Sequence, residues 1–178
     1  MPGRIPKALL ARLKRVQILL CDVDGVLTDG GVFISESAEF KRFHVHDGQG
    51  FKMLARAGIK TGWISNRPST ATTQRAAELK IDFLTQDKGD KVRAAETMLR
   101  QCGLNWDQAC YVGDDVVDLG VLRRVGVAIS VPNANPVARS AADFVTRHAG
   151  GNGAIREVVE LILTAHGLWK PIVAEYSR

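Results

Sequence analysis

Two aspartates two residues apart, Asp22 and Asp24, close an apolar run over residues 16–20 and are followed at once by Gly25. Side chains at i and i+2 share one side of a strand, so the pair is expected to converge where the strand stops and the glycine lets the chain turn. Taken alone, an aspartate pair before a glycine is ordinary turn chemistry. Three further groups follow other short apolar runs: Ser65 with Asn66 and Arg67, then Lys88 and Lys91, then Gly113-Asp114-Asp115 with Asp118. Together they supply hard oxygen ligands for a divalent cation, a hydroxyl and cations for a phosphate, and a carboxylate able to attack phosphorus. A magnesium-dependent phosphoryl transfer requires that combination.

Periodicity and punctuation outline the elements that must hold these groups. After the first strand, residues 32–34 and 39–45 flank a polar turn and read as a β-hairpin, a flap over about residues 30–46 beside the aspartate pair. Residues 46–50 lead into a helix over 51–57 that Gly58 stops. Strands are then expected over 61–65, 82–85, 109–113, 127–131 and 144–145, with helices over 70–79, 90–102, 116–125, from Pro136, and over 154–166. Strands alternating with helices at this spacing form βαβ units on a parallel sheet, hence an α/β fold. Such sheets bind ligands at the C-terminal edge of their strands, where all the groups above would lie. Neither repeat nor linker divides the chain, so residues 1–178 are expected to form one domain.

Composition narrows the function classes. A chain of 178 residues with 46% hydrophobic and 24% charged residues can bury a sizeable core, which sets disorder aside. Much of the +5 formal charge comes from residues 4–15 at helical spacing, the pattern of a solvated helix face. Without a recognisable binding module, nucleic acid is not an expected partner; a mild positive bias suits a small anionic substrate. Cys21, Cys102 and Cys110 are odd in number and lack CxxC spacing, which argues against a disulfide framework or a zinc site. No apolar run reaches membrane-span length and no signal-type core follows the basic start, so a cytoplasmic protein without membrane contact is expected.

The motifs CDVDGVLTD, ISN, the lysine of KGDK, and YVGDDVVD, in this order on alternating βα units, resemble the haloacid dehalogenase superfamily of phosphohydrolases. With only a hairpin between the first two motifs, the chain resembles the capless branch. This implies a Rossmann-like three-layer fold with a parallel central sheet and a β-hairpin flap in place of a cap domain. VDGVLTDG, FHVHDGQG and TRHAGGNGAIREV are similar to the branch's sugar-acid phosphatases, which act in lipopolysaccharide precursor synthesis. The resemblance implies Asp22 as nucleophile and Asp24 as acid and base. Mg²⁺ would sit between Asp22, the Asp24 carbonyl and Asp114, with Asp115 and Asp118 behind. Lys91 would stabilise the transition state, and Ser65, Asn66 and Arg67 would meet phosphate or substrate. The expected substrate is 3-deoxy-D-manno-octulosonate 8-phosphate. Ser65-Asn66 replaces the threonine and glycine usual before this arginine, which keeps the hydroxyl but bears on substrate choice.

An acylneuraminate or related nonulosonate 9-phosphate is the rival substrate; Arg67 stands against it, because the resemblance places a glutamate there in those enzymes. A non-catalytic assembly module, like that fused to acylneuraminate cytidylyltransferases, is the rival of another class. The complete set Asp22, Asp24, Ser65, Lys91 and Asp114 stands against that. A hairpin carrying Val32, Phe33, Ile34, Phe40 and Phe43 has more apolar surface than one flap buries alone, so hairpins from several protomers are expected to pair. The resemblance implies a homotetramer with shared active sites, in which residues 150–153 and Arg156 help form the intersubunit site; the tail 168–178 is long enough to reach a neighbour. His44 and His46, alternating on a strand, lack a third ligand and are read as surface or hairpin residues. Lys88 is read as exposed, Trp63, Trp106 and Trp169 as packing residues, and Cys21 as an inert strand residue.

Overall fold

The computed structural model describes residues 6–36 and 39–176. In chain order the elements are α1 (Lys7–Leu13), β1 (Ile18–Cys21), β2 (Phe33–Ile34), β3 (Glu39–Phe40), α2 (Val45–Arg56), β4 (Lys60–Ser65), α3 (Thr70–Leu79) and β5 (Phe83–Gln86). There follow α4 (Lys91–Cys102), β6 (Ala109–Val112), α5 (Leu119–Leu122), β7 (Val127–Ser130), α6 (Pro136–Ala141), β8 (Phe144–Val145), α7 (Ala154–Ala165) and α8 (Trp169–Glu175). Short 3₁₀ turns, Trp106–Gln108 and Val116–Asp118, precede β6 and α5.

Six strands form a parallel sheet in the order β5-β4-β1-β6-β7-β8. The expected three-layer α/β fold is present: α1 and α2 pack with α7 on one face, while α4 and α5 pack on the other. Because both faces are covered, β1, β6 and β7 are buried at every position and read as continuous apolar runs rather than alternating ones. The chain runs from central β1 out to β5, then crosses back to β6 on the other side of β1. The switch point of the strand order lies between β1 and β6, the place where such sheets bind ligands.

Helix α2 starts six residues earlier than periodicity indicated. Gly48 and Gly50, which look like a lead-in, lie inside it at close approaches: an added Cβ would fall 2.4 Å from Arg75 Nη2 and 3.2 Å from Val159 Cγ2, respectively. His44 therefore caps this helix and His46 sits in its first turn, not on a strand; their rings meet edge to face at 5.1 Å. The expected helix over 116–125 is a 3₁₀ turn and one helical turn, shortened because the Asp118 side chain bonds back to its own loop. The hairpin is shorter than expected, with Phe33 opposite Phe40 and Ile34 opposite Glu39.

The basic run begins outside the described residues at Arg4; the rest includes an amphipathic helix that buries Leu9 and Leu13. There Arg12 forks onto Asp143 at 2.7 and 2.6 Å. Trp63 is fully buried and Trp106 partly buried against the core, while Trp169 lies under the Arg156 guanidinium; Cys21 is buried in β1. The tail forms α8, where Ile172 is buried, Glu175 pairs with Arg56 and the Tyr176 hydroxyl accepts from Gln49 Nε2 at 2.7 Å. Through residue 176 the tail thus folds onto its own α2 and α7. No helix among the described residues is long and apolar enough to cross a membrane.

Candidate active site

The sheet register dictates what meets at the switch point. Cys21 ends β1 level with Trp63 of β4 and Val112 of β6, so the residues just beyond, Asp22 and Gly113-Asp114, emerge side by side. One carboxylate oxygen from each of Asp22, Asp114 and Asp118 lies within 4.8 Å of the others. Such crowding demands glycine nearby. Gly25 has φ +95°, and a Cβ there would fall 2.1 Å from Asp114 Oδ2; a Cβ on Gly113 would fall 2.6 Å from Asp118 Cβ.

Lys91 joins the cluster from α4. Asp90 caps this helix by accepting the Val92 N–H at 2.8 Å, which makes Lys91 its first residue. The Lys91 side chain is 3% exposed, and its Nζ lies 2.9 Å from Asp22 Oδ1 and 2.8 Å from Asp118 Oδ1. Burial opposes its charge, but Asp22 and Asp118 together outweigh burial and raise its pKa. Asp118 is fully buried. Its Oδ1 accepts from Lys91 and from the Tyr111 hydroxyl at 2.6 Å, and its Oδ2 from the backbone N–H groups of Asp114 and Asp115 at 2.9 and 3.1 Å. Four bonds use the lone-pair sites of a carboxylate, so Asp118 holds the loop and the lysine and has no oxygen left for a metal.

Asp22 and Asp114 differ from it. Burial first, then Asp118, pushes the Asp22 carboxyl up to about 6 despite Lys91; burial, then Asp22 and Asp118, pushes Asp114 up to about 8. Asp114 Oδ1 is buried without a hydrogen-bond partner. Two adjacent carboxylates that resist ionising together, one with an orphaned oxygen, fit a hard divalent cation, which would satisfy that oxygen and offset the repulsion.

The loop after β1 is braced from the other end of the chain. Asn133 Nδ2 donates to Gly25 O at 3.0 Å, the Gly150 N–H donates to Asn133 Oδ1 at 2.8 Å, and the Gly151 N–H reaches Val26 O at 3.0 Å. A Cβ on Gly150 would fall 1.8 Å from Gly25 O, so this glycine serves a contact within the chain. Arg156 bonds Glu160 and stacks on Trp169.

Other sequence candidates lie farther out. Asp24 does not join the cluster: the strand ends at Cys21 and the chain bends, so the i, i+2 rule lapses and the Asp24 carboxylate pairs with Lys41 Nζ at 2.7 Å. Ser65 ends β4 with its hydroxyl bonded to the Arg67 backbone, 3.1 Å from both N and O. Arg67 pairs with Glu39 of the hairpin, and Asn66 is half-buried between Ser65 and Arg67. Asp115 is exposed and accepts the Val116 N–H, while Lys88 is exposed as expected. Sequence reasoning missed Tyr111, Lys41 and Asn133. A tyrosine within an otherwise aliphatic strand was the usable signal for the first, since a buried hydroxyl needs a partner.

Buried carboxylates around a cation site, with a lysine fixed against one of them at the edge of a parallel sheet, define a metal-assisted phosphohydrolase of the α/β class. The chain belongs to the haloacid dehalogenase-like hydrolases, whose family model matches residues 61–158. A 3-deoxy-D-manno-octulosonate 8-phosphate phosphatase of Escherichia coli K12 is 36% identical over 93% of this chain and 88% of its own. A solved structure of the Moraxella catarrhalis 3-deoxy-D-manno-octulosonate 8-phosphate phosphatase, in complex with magnesium ion, phosphate ion and KDO, is 36% identical. It matches with a TM-score of 0.92 over 94% of this chain and 97% of that one. A probable YrbI family phosphatase of Pseudomonas syringae is 40% identical, with a TM-score of 0.94 over 97% and 99%.

Proposed function

We propose that this chain hydrolyses 3-deoxy-D-manno-octulosonate 8-phosphate to the free sugar acid and phosphate, through a phosphoryl group carried transiently on Asp22. The observation that carries the reading is the buried Asp22 carboxylate with Lys91 on one side and Asp114 on the other. The substrate rests on the names of the Escherichia coli and Moraxella catarrhalis relatives. Asp22 Oδ1 is held by Lys91 and by the Val23 N–H at 2.7 Å, which leaves Oδ2 to attack phosphorus. As the phosphorus–oxygen bond to the sugar breaks, Asp24 gives a proton to the leaving oxygen. It then takes one from the water that attacks the phosphoaspartate, and phosphate departs. Lys91 offsets charge developing on the phosphoryl oxygens, and Ser65 with Asn66 and Arg67 meets the substrate from β4. Mg²⁺, held by Asp22, the Asp24 carbonyl and Asp114, would screen repulsion between two anions and polarise the phosphoryl group. Asp118 and Asp115 stand behind these groups as supports.

In this reading the working unit is a homotetramer whose hairpins pair so that a neighbour closes each site. Supporting it are Phe33, Ile34 and Phe40, exposed by 64%, 77% and 62%. A single domain with a hairpin in place of a cap needs such cover to keep water out. A cytoplasmic location accords with three unpaired cysteines. Phosphate release from a panel of sugar phosphates, including nonulosonate 9-phosphates, tests the reading with and without EDTA. The octulosonate ester should be fastest and activity should vanish in chelator and return with Mg²⁺. Persistent turnover in EDTA, or preference for another ester, would overturn it. Light scattering checks the assembly, since an active particle near the 19.4 kDa of one chain would contradict shared sites.

A further inference from the structure

The hairpin does more than lie beside the site. Residues alternate along β3 and just past it, so Phe40 points outward while Glu39 and Lys41 turn inward. Glu39 accepts from the Ser69 hydroxyl at 2.7 Å and pairs with Arg67, which ties the flap to the loop after β4. Lys41 goes the other way. Its side chain is 0% exposed, unusual for a lysine on a flap, and its Nζ lies 2.7 Å from Asp24 Oδ1 and 3.3 Å from Thr72 Oγ1 on α3. Among the described residues, Lys41 is the cation within ion-pair range of Asp24.

A lysine gives up solvent only where another group holds its charge, and here that group is the carboxylate assigned to proton transfer. We infer that Lys41 is a positioning residue for Asp24: carried by the flap, it fixes Oδ1 and leaves Oδ2 to serve the leaving oxygen. Asp24 enters the step protonated on Oδ2 and passes that proton to the bridging oxygen as the ester bond breaks, and the carboxylate so formed is the state that Lys41 pairs with. The inference rests on the role proposed above for Asp24.

The leaving group supplies the test. A sugar alkoxide needs a proton to depart, whereas p-nitrophenolate is stable as the anion, so loss of proton transfer slows the sugar ester far more. The assay compares kcat and KM for the sugar phosphate and p-nitrophenyl phosphate in Lys41→Met, Lys41→Arg, Asp24→Asn and Glu39→Gln. Lys41→Met should lose on the order of 100-fold in kcat on the sugar ester, part of the ~10²–10⁴ that such catalysis supplies, and several-fold less on the aryl ester. Lys41→Arg should restore part of the loss, and Glu39→Gln, which cuts the other tie of the flap, should affect both esters alike. Equal losses on both esters in Lys41→Met, or a leaving-group-selective loss in Glu39→Gln, would overturn the inference. If Asp24→Asn shows no selectivity, the role of Asp24 fails and the inference with it. If Asp24→Asn is selective and Lys41→Met is not, the inference alone fails.

Discussion

Replacing Lys91 by methionine keeps the length of the side chain and removes the one charge between two buried carboxylates. Breaking a buried ion pair by deleting one partner costs about 3–5 kcal/mol, against a net stability of about 5–15 kcal/mol. The structure places this case at the lower end. Asp118 keeps three of its four donors, from Tyr111 and two backbone N–H groups, whereas Asp22 keeps the Val23 N–H alone and still faces Asp114. The loss is therefore concentrated on Asp22, and about 3 kcal/mol is expected in EDTA at neutral pH. Mg²⁺ returns positive charge beside Asp22, so it should raise the stability of Lys91→Met by more than that of the wild type. With Lys91 in place burial pushes the Asp22 carboxyl up to about 6, and losing the lysine pushes it higher, so the penalty should shrink as pH falls towards 6 and the carboxyl becomes neutral in both proteins. Urea denaturation in EDTA and in Mg²⁺, at neutral and mildly acid pH, reads all three effects. A wild-type urea midpoint in EDTA, or an equal gain from Mg²⁺ in both proteins, would show that Lys91 does not hold the charge of Asp22.

Two other perturbations test parts of the frame. Gly25→Ala places a Cβ 2.1 Å from Asp114 Oδ2 at a positive φ, so Mg²⁺-dependent stabilisation and activity should both collapse; an Mg²⁺ titration followed by melting temperature would show it. The Glu157 pKa is lowered: burial would raise it, but bonds from His148 and Arg147 together outweigh burial. A carboxylate with a depressed folded-state pKa contributes stability above its ordinary value of 4.5 that is lost as pH falls through the folded value. Glu157→Gln should therefore melt below the wild type at neutral pH, with the gap closing under acid; a gap constant with pH would contradict this.

Helix α3 was legible to the residue because local signals agreed, with Ser69 accepting the Thr72 N–H at its start. The parallel strands were legible for the same reason, being short apolar runs between polar loops. The sequence misled where distant packing overrode local pattern, as in α2, whose two glycines serve contacts with Arg75 and Val159. At the site, Asp22, Lys91 and Asp114 lie together, as order and spacing indicated, because strand register fixes what emerges at adjacent ends. Asp24 and Asp118 were harder. Their partners, Lys41 and Tyr111, lie on elements whose facing positions are set by packing, and nothing at positions 24 or 118 encodes that. Helix α8 escaped notice because its seven residues bury one side chain, Ile172, too little to give a period.

In the proposed reaction the phosphoryl group passes through Asp22. Acid quenching during turnover of a radiolabelled phosphate ester, followed by peptide mapping, tests it most directly. Hydroxylamine-labile label is expected on the peptide containing Asp22, with a folded but inactive Asp22→Asn that traps none. Near-wild-type phosphate release from folded Asp22→Asn, or label on a different residue, would contradict it.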